Sequence, residues 1–300
     1  MSKKEIFLIF KEDWRMKVTL ALTTWTEHPA LIDGQKRTVT LNEYAQRMLA
    51  VEIDTFFYAL PNVNTVQKWV GEVSPEFQFI VKAHQSMTKH PQAQLPTGVT
   101  SLAEVFQRFK TAVTPLIATG QLKTILFQFP PSFVPTVSNI DYLMKIRQFL
   151  GNLSVAIELR NQAWYRSGVL KSLVDYCREL HYTLVAADEA QSTQASVPFY
   201  LVTTNPQLAL LRLHGRNQAG WRNPGKAWRK QRTLYRYSDQ ELADFQRQIE
   251  QLTPAPQEVC VIFNNNSAGD AAPNALRLQE MMGLHFDGLV PRSPEQLNLF

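Results

Sequence analysis

The chain contains 300 residues, of which 45% are hydrophobic and 19% are charged, and this composition excludes an intrinsically disordered protein. No apolar run approaches the roughly 18 residues of a membrane span, and the net charge of +5 permits a polyanionic partner without requiring one. Because the N-terminus lacks a signal-peptide pattern and Cys177 and Cys260 lack metal-ligand spacing, we expect a cytoplasmic protein with reduced cysteines.

Short β-rich segments recur along the whole chain, and most of them are separated by segments with helical spacing. Eight strands are predicted at 18–25, 51–56, 77–83, 123–129, 154–159, 182–187, 209–214 and 259–264. Helices are predicted at 41–49, 65–70, 102–117, 140–150, 169–180, 239–252 and 271–282. The interval 189–207 carries no strong helical signal.

The alternation of strands and helices favours parallel strand pairing, because parallel neighbours need long crossover connections. Eight such units favour closure of the sheet, so the predicted fold is an α/β (β/α)8 TIM barrel. An open doubly wound sheet is the alternative, although no glycine-rich phosphate loop follows the first strand. We predict one barrel domain over residues 1–290 and a tail over residues 291–300.

Polar side chains occupy the C-terminal ends of nearly all the predicted strands, which is where a barrel builds its site. Residues i and i+2 of a strand point the same way, so these side chains converge on the barrel mouth. The set comprises Glu52, Asp54, Lys82, His84, Gln128, Glu158, Arg160, Asp188, Arg212, His214, Asn264 and Asn266. An internal salt-bridge network could account for them, but their recurrence at one end of many strands favours a ligand site.

Several kinds of chemistry are open to this set. Glu52 and Glu158 could act as a general acid–base pair if their environments push their pKa values apart. His214, with Glu158 and Asp188, could bind a divalent metal, although no tightly spaced metal motif is present. The alternative for His214 is a hydrogen-bonded or substrate-contacting histidine. The cofactor therefore stays unknown, and the predicted catalytic residues are Glu52, Glu158, Asp188 and His214.

The segment from Arg212 to Arg236 contains eight basic residues, no acidic residue, and interleaved tryptophan and tyrosine. In a barrel this segment is the loop after strand seven, on the mouth side, where phosphate groups are often held. Arginine binds phosphate oxygens in a bidentate manner and indole rings stack on bases or sugars, so we expect DNA or a phosphorylated small molecule here. A solvated charged loop is the alternative. The predicted contacts are Lys82, Gln128, Arg160, Arg212, Arg216, Trp221, Asn264, Asn266 and Asn274.

Five segments resemble motifs of the YecE-like family, domain of unknown function 72, in the same order along the chain. Residues 211–216 resemble its RLHG signature, residues 51–58 its E-x-(N/D)-x-TFY strand, and residues 127–133 its Q-x-PPSF turn. Residues 157–160 with Trp164 resemble its E-x-R…W segment, and residues 263–266 with Ala272 and Asn274 resemble its FNN…A-x-NA ending.

The resemblance covers residues 18 to 284 and implies a (β/α)8 barrel, loosely similar to metal-dependent abasic-site endonucleases and sugar isomerases. It implies no established reaction. The first strand departs from the family, since residues 22–25 read LTTW where many members have a glycine-rich G-x-S-x-W, so we expect a less open loop there. The site candidates that the resemblance carries over are Glu52, Lys82, Gln128, Glu158, Arg160, Asp188, Arg212, His214, Asn264 and Asn274.

The last five residues read QLNLF, which resembles the pentapeptide that binds the bacterial DNA polymerase sliding clamp. One amide and two adjacent apolar anchors suit a preformed pocket, and Pro291 and Pro294 precede them. The alternative is a tail that folds back and buries its apolar side chains on the barrel. The predicted clamp contacts are Gln296, Leu297, Leu299 and Phe300.

Three functions follow from these features. The first is a clamp-recruited barrel that acts on DNA or a phosphorylated sugar or nucleotide, with phosphoester hydrolysis or repair-type chemistry. The second is a non-catalytic DNA-binding or adaptor protein that uses the same tail. The third is a small-molecule barrel enzyme, such as a sugar isomerase or glycosidase, which predicts no salt-dependent retention on DNA.

Overall fold

The computed structural model describes residues 16–191, 196–222 and 231–291. Nine parallel strands form one sheet in the order β6-β5-β4-β3-β2-β1-β9-β8-β7. Because β6 and β7 follow each other directly along the chain, this order closes into a barrel and confirms the predicted fold over an open sheet. The strands are β1 Lys17–Thr23, β2 Ala50–Ile53, β3 Gln78–Lys82, β4 Leu122–Phe129, β5 Val155–Leu159, β6 Tyr182–Leu184, β7 Ala186–Asp188, β8 Leu208–Leu213 and β9 Glu258–Phe263.

Most of the described helices lie between these strands along the chain and pack on the outer face of the sheet. Most of them begin at a side-chain cap, such as Thr40, Ser101 or Ser238, whose hydroxyl accepts a hydrogen bond from a first-turn amide. Their apolar faces and the outer faces of the strands form the main core. The helices are α1 Leu41–Ala45, α2 Thr55–Tyr58, α3 Val63–Gly71, α4 Leu102–Ala118, α5 Val137–Leu150, α6 Ser167–Glu179, α7 Gln218–Arg222, α8 Asp239–Glu250 and α9 Ala271–Met281.

A second, smaller apolar cluster fills the inside of the barrel. It contains Ala50, Ile80, Leu126, Ala156, Leu210 and Ile262, each from a different strand. Side chains two residues further along a strand point the same way, so the next layer toward the mouth follows directly from the sequence. That layer is polar and consists of Glu52, Lys82, Gln128, Glu158, Arg212 and Asn264.

Three predicted strands differ from the structure. The predicted strand 18–25 ends at Thr23, because Thr24 has a positive φ of 60°. The predicted strand 51–56 ends at Ile53, because Asp54 adopts helical dihedral angles and begins the one-turn helix α2. The predicted strand 182–187 is split into β6 and β7 at Val185. The Thr204 hydroxyl accepts from the Leu184 amide and donates to the Tyr182 carbonyl, so a side chain replaces the ladder to β8 at this point.

The last described residues lie at the end of the barrel opposite the mouth. The amide of Val290 donates to the carbonyl of Ala45, just before β2, at a distance of 3.0 Å. The chain therefore reaches residue 291 at the N-terminal end of the strands, opposite the mouth.

In the described part of the chain, no helix combines the length and the hydropathy that a membrane span requires. Cys177 and Cys260 are buried and unbridged, as expected for reduced core cysteines.

Candidate functional site

Arg212 is the centre of the polar layer inside the barrel mouth. Its side chain is completely buried, and it donates to Glu52 in a bidentate manner at 2.8 and 2.6 Å. Its remaining Nη1 donates to Glu158. Bidentate pairing of this kind is the strongest that a buried guanidinium can make. Arg212 therefore has its donors directed at protein carboxylates from strands β2 and β5.

Glu158 lies at the junction of this network with His214. One oxygen of Glu158 accepts from Arg160 at 2.9 Å and from Gln128 at 2.8 Å. The same oxygen lies 3.1 Å from Nε2 of His214, and the amide of Asn264 lies 2.8 Å from Nδ1 of the ring. The assigned arrangement has Nε2–H donating to Glu158 and Nδ1 accepting from Asn264.

The pKa values of these buried groups are pushed apart, as the acid–base hypothesis requires. Burial raises the pKa of Glu52 to about 7, and the neighbouring Asp54 charge adds to this against the attraction of Arg212. Burial alone would raise the pKa of Glu158, but Arg212, His214 and Arg160 outweigh it and hold the pKa well below its ordinary value. Burial lowers the pKa of His214 to about 3, so the imidazole is neutral at physiological pH.

These residues do not fit a divalent metal. Glu158 is surrounded by two guanidinium groups, and Asp188 accepts three hydrogen bonds from Arg216 rather than facing His214. Cations beside a carboxylate repel a metal ion and occupy the oxygens that would bind it. Among the described residues, no group of three His, Cys, Asp or Glu side chains is arranged to hold a metal. The geometry of Glu158, Asp188 and His214 thus argues against the shared metal site considered from the sequence.

Asp188 and Arg216 belong to a second network beside the first. Arg216 also donates to Glu241 at 3.0 Å, and the hydroxyl of Tyr237 donates to Asp188 at 2.7 Å. The Tyr237 hydroxyl in turn accepts from the amide of Gly215 at 2.8 Å. This network ties the segment after β8 to helix α8, so Asp188 and Arg216 are both engaged within the protein.

Asn274 and Asn266 have different surroundings. Asn274 is buried and pairs with both main-chain groups of Tyr237, accepting from its amide at 3.0 Å and donating to its carbonyl at 2.8 Å. Asn274 therefore positions the Tyr237 segment. Asn266 lies at the mouth, where its amide donates to Glu27 at 2.9 Å.

Trp221 of α7 packs against two arginine side chains. The guanidinium carbon of Arg160 lies 5.2 Å from the centre of its ring, and that of Arg232 lies 4.2 Å from it. Both distances are within the range of cation–π attraction. The basic residues between them, Lys226, Arg229 and Lys230, lie outside the described residues, as do the predicted clamp contacts Gln296, Leu297, Leu299 and Phe300.

Lys82 and Asp54 form an ion pair at the rim, with Nζ 3.1 Å from Oδ1. Burial would raise the pKa of Asp54, but Lys82 and then Arg212 outweigh it and leave the pKa below its ordinary value. The Lys82 ammonium also lies 5.0 Å from the centre of the Phe57 ring. Asp54 is thus an ionised carboxylate at the edge of the polar layer, nearer to solvent than Glu52 or Glu158.

An open cleft of about 810 Å³ lies at the mouth, over the ends of β1, β2 and β9. Its lining offers hydroxyl, amide and carboxylate groups, from Thr23, Thr24, Glu27, Asp54, Asn264 and Asn266. The buried hydroxyls of Thr23 and Thr24 have no hydrogen-bond partner among the described residues. Such groups are costly unless something outside the protein satisfies them.

The backbone at Thr24 is itself unusual. Its φ is +60°, a conformation that β-branched residues rarely adopt. His28, which is buried, has its Nε2 3.0 Å from the carbonyl of Thr23 and 3.2 Å from that of Thr24, so it holds the turn in place. The strained turn places two adjacent threonines on the wall of the cleft.

The structure thus brings together most of the predicted site, and it adds residues that the sequence did not single out. Glu52, Lys82, Gln128, Glu158, Arg160, Arg212, His214 and Asn264 form one connected polar layer. The buried Glu189 was missed: it accepts from Arg160 and from the amide of Val197 at 2.7 Å. Its position directly after Asp188 was the only available signal. Thr23, Thr24, Glu27 and Tyr58 were also missed, because each depends on how loops meet at the cleft.

Comparison with known proteins finds one family over most of the chain, in both sequence and structure. The family described as "Protein of unknown function DUF72" matches residues 19–298. The UPF0759 protein YunF of Bacillus subtilis strain 168 is 37% identical over 289 residues, which is 94% of this chain and 100% of that protein. The crystal structure of a DUF72 family protein from Enterococcus faecalis V583 has a TM-score of 0.87 at 41% identity, over 92% of this chain and 99% of that one. A DUF72 family protein from Thermotoga maritima MSB8 has a TM-score of 0.73 at 25% identity, over 89% of this chain and 100% of that one.

Proposed function

Since the chain belongs to the DUF72 family, whose function is unknown, we propose that its barrel mouth binds and acts on a phosphorylated sugar unit, free or within a nucleotide or DNA. The observation that carries this proposal is the 810 Å³ cleft at the mouth, whose wall brings together the polar residues Thr23, Thr24, Asn264 and Asn266. Sugar hydroxyls both donate and accept hydrogen bonds, so they complement threonine hydroxyls and the amides of Asn264 and Asn266.

The phosphate end of the ligand is directed to the basic segment after β8. Thr233 lines the cleft, and the segment that precedes it, 222–232, contains five of the eight basic residues between Arg212 and Arg236. Arg212 and Arg216 are paired with carboxylates, so their role is to position the site rather than to clamp phosphate. The contacts to phosphate are assigned to basic residues of this segment, since Lys82 is likewise paired, with Asp54, and lies at the end of β3 on the other side of the mouth.

Asp54 is the carboxylate best placed to act on the ligand. It lines the cleft and is ionised, whereas Glu52 and Glu158 lie beneath it with their oxygens taken by Arg212. Burial raises the pKa of Glu52 to about 7, but both of its oxygens accept from Arg212 and it does not line the cleft, so Glu52 is a positioning residue. We assign Asp54 the role of general base or electrostatic stabiliser, and His214 and Glu158 that of positioning residues.

The first prediction concerns the unpartnered hydroxyl of Thr23. Thr23→Val replaces the hydroxyl by a methyl group of similar size, so we expect binding of 2-deoxyribose 5-phosphate to weaken about 5- to 10-fold, the worth of one hydrogen bond. The free energy of unfolding should stay unchanged or rise, because a buried polar atom without a partner is replaced by a methyl group. Isothermal titration calorimetry and urea unfolding measure the two quantities.

Thr114→Val, on the exposed face of helix α4, is the matched control and should bind like the wild type. Equal affinity of Thr23→Val and wild type would contradict the proposed site. Titration with 2-deoxyribose separates the candidate functions, because equal affinity for the sugar with and without phosphate would favour a barrel enzyme acting on a neutral sugar. The two carboxylates in the lining, Glu27 and Asp54, are the observation that favours this second candidate.

We further propose that the C-terminal tail recruits the protein to the bacterial sliding clamp. The described chain reaches residue 291 at the end of the barrel opposite the mouth. A clamp bound to residues 296–300 would therefore leave the mouth open to DNA or to a small ligand. The nine residues after 291 span at most about 30 Å, so the tether is short.

The second prediction tests this recruitment. Removal of residues 296–300 should reduce affinity for the purified sliding clamp at least 100-fold, because both apolar anchors and the amide are lost. Binding of 2-deoxyribose 5-phosphate should not change. Asn298→Ala alters the one position of the pentapeptide that makes no predicted contact and should bind the clamp normally. Unchanged clamp affinity after the deletion would refute the recruitment.

A further inference from the structure

A second groove lies next to the mouth cleft and shares one wall with it. The groove has a volume of about 860 Å³ and runs between the segment after α2, the segment after β3 and helix α4. Tyr58, the last residue of α2, lines both the groove and the mouth cleft. Tyr58 is 61% exposed, more than any other aromatic residue among the described hydrophobic residues.

The main chain of Tyr58 is anchored although its ring is exposed. The amide of Phe57 donates to the carbonyl of Asp54 at 3.0 Å and that of Ala59 to the carbonyl of Thr55 at 3.1 Å, so the turn that carries Tyr58 is closed, and the buried His84 lies beside it in the lining of the groove. Nδ1 of His84 accepts from the amide of Ser86. The Tyr58 ring packs edge-on against Phe57, with the centres 5.1 Å apart, so one aromatic face stays available. A fixed backbone with a free ring face is suited to stacking.

The lining of the groove is nearly neutral. Its two charged side chains, Glu104 and Arg108, pair with each other at 2.7 Å. The remaining polar groups are mainly amides, supplied by Asn62, Gln85, Gln94 and Gln107, and they alternate with apolar residues such as Leu60 and Leu95. Amides offer both donors and acceptors to a flat heterocycle, whereas the one arginine of this lining, Arg108, is already paired with a carboxylate.

The order of the strands around the barrel indicates where the base, the sugar and the phosphate of a bound nucleotide lie. The sheet runs β2-β1-β9-β8, so Tyr58 after β2 and Thr233 after β8 lie on opposite sides of the mouth cleft. In a nucleoside 5′-phosphate, the base and the phosphate leave opposite ends of the sugar. A sugar in the cleft with its phosphate toward the segment after β8 therefore directs its base toward Tyr58.

Resting on the proposed function, we infer that the groove beyond Tyr58 is a nucleobase subsite, and that the ligand of this barrel is a nucleotide unit rather than a simple sugar phosphate. The base stacks on the free face of Tyr58 and meets the amides of the groove. Stacking of a base on an aromatic ring tolerates any base, so this subsite recognises nucleotides without strong sequence preference.

The test compares deoxyadenosine 5′-monophosphate with 2-deoxyribose 5-phosphate by calorimetry on the full chain. We expect the wild type to bind the nucleotide about 10-fold or more tightly than the sugar phosphate, and Tyr58→Ala to remove that difference. Tyr58→Ala should therefore lose more affinity for the nucleotide than for 2-deoxyribose 5-phosphate, and Tyr58→Phe, which keeps the ring, should behave like the wild type toward both ligands.

Each outcome separates the subsite from the mouth. Equal wild-type affinity for the two ligands, or a nucleotide affinity that Tyr58→Ala does not change, would overturn the subsite while leaving the sugar-phosphate site intact. A Tyr58→Ala variant that loses affinity for both ligands equally would show a general structural role and overturn the subsite as well. Failure of the wild type to bind 2-deoxyribose 5-phosphate would instead overturn the proposed function, and the subsite with it.

Discussion

Replacing Arg212 by methionine is expected to lower the free energy of unfolding by about 3–5 kcal/mol. Arg212 is fully buried, and Glu52 and Glu158 both depend on it for charge compensation. Without Arg212, Glu52 and Glu158 remain in the barrel interior, and Arg160 stays beside Glu158 alone. Urea unfolding followed by circular dichroism measures the effect, and the slope of the transition should not change.

Two further variants distinguish charge imbalance from lost packing. Adding Glu52→Gln and Glu158→Gln to Arg212→Met removes the unpaired charges, so we expect the triple variant to recover at least half of the lost stability. Arg236→Met breaks an exposed pair with Asp270 and should cost less than about 1 kcal/mol, because Arg236 is largely solvated. If Arg212→Met is no more damaging than Arg236→Met, the buried network does not have the role assigned to it.

Gly215→Ala is expected to destabilise the protein by about 3 kcal/mol, from backbone strain and steric overlap together. Gly215 follows His214 and has a φ of +88°. A Cβ atom there would lie 2.6 Å from Cβ of Tyr235, which no side-chain rotation relieves. The backbone must shift, and the hydrogen bond from its amide to Tyr237 shifts with it.

Gly34→Ala is the matched control for this effect. Gly34 has a similar φ of +76°, but no atom lies within 4 Å of the added Cβ. It should therefore show only the strain of the left-handed backbone, about 1 kcal/mol. Urea midpoints of the two variants give the comparison, and equal destabilisation would contradict the close packing of the segments after β8.

The fold and the polar layer could be predicted from the sequence because both depend on local periodicity. Alternation along a strand places Glu52 after Ala50, Glu158 after Ala156 and Arg212 after Leu210, whatever the surrounding loops do. The same reasoning failed where a tertiary contact overrode the pattern. The Thr204 hydroxyl, twenty residues from Leu184, interrupts the sixth predicted strand, and no local signal announces it.

The roles of individual side chains could be predicted much less well. From the sequence, Glu158, Asp188 and His214 are either metal ligands or hydrogen-bonding groups, and only the structure shows which arginine each carboxylate pairs with. Arg216 reads as a phosphate ligand in the sequence, yet it binds Asp188 and Glu241. Such assignments depend on distances between strands and loops, which a sequence does not contain. The DUF72 resemblance, by contrast, rests on local motifs and is confirmed over residues 19–298.

The central claim is that the cleft at the barrel mouth is the ligand site. A crystal structure of the protein grown with 2-deoxyribose 5-phosphate tests it most directly. The account predicts density over the ends of β1, β2 and β9, with sugar hydroxyls within hydrogen-bond distance of the Thr23 and Thr24 side chains and the phosphate toward the segment after β8. Density at another place, or an empty cleft at a saturating ligand concentration, would contradict it.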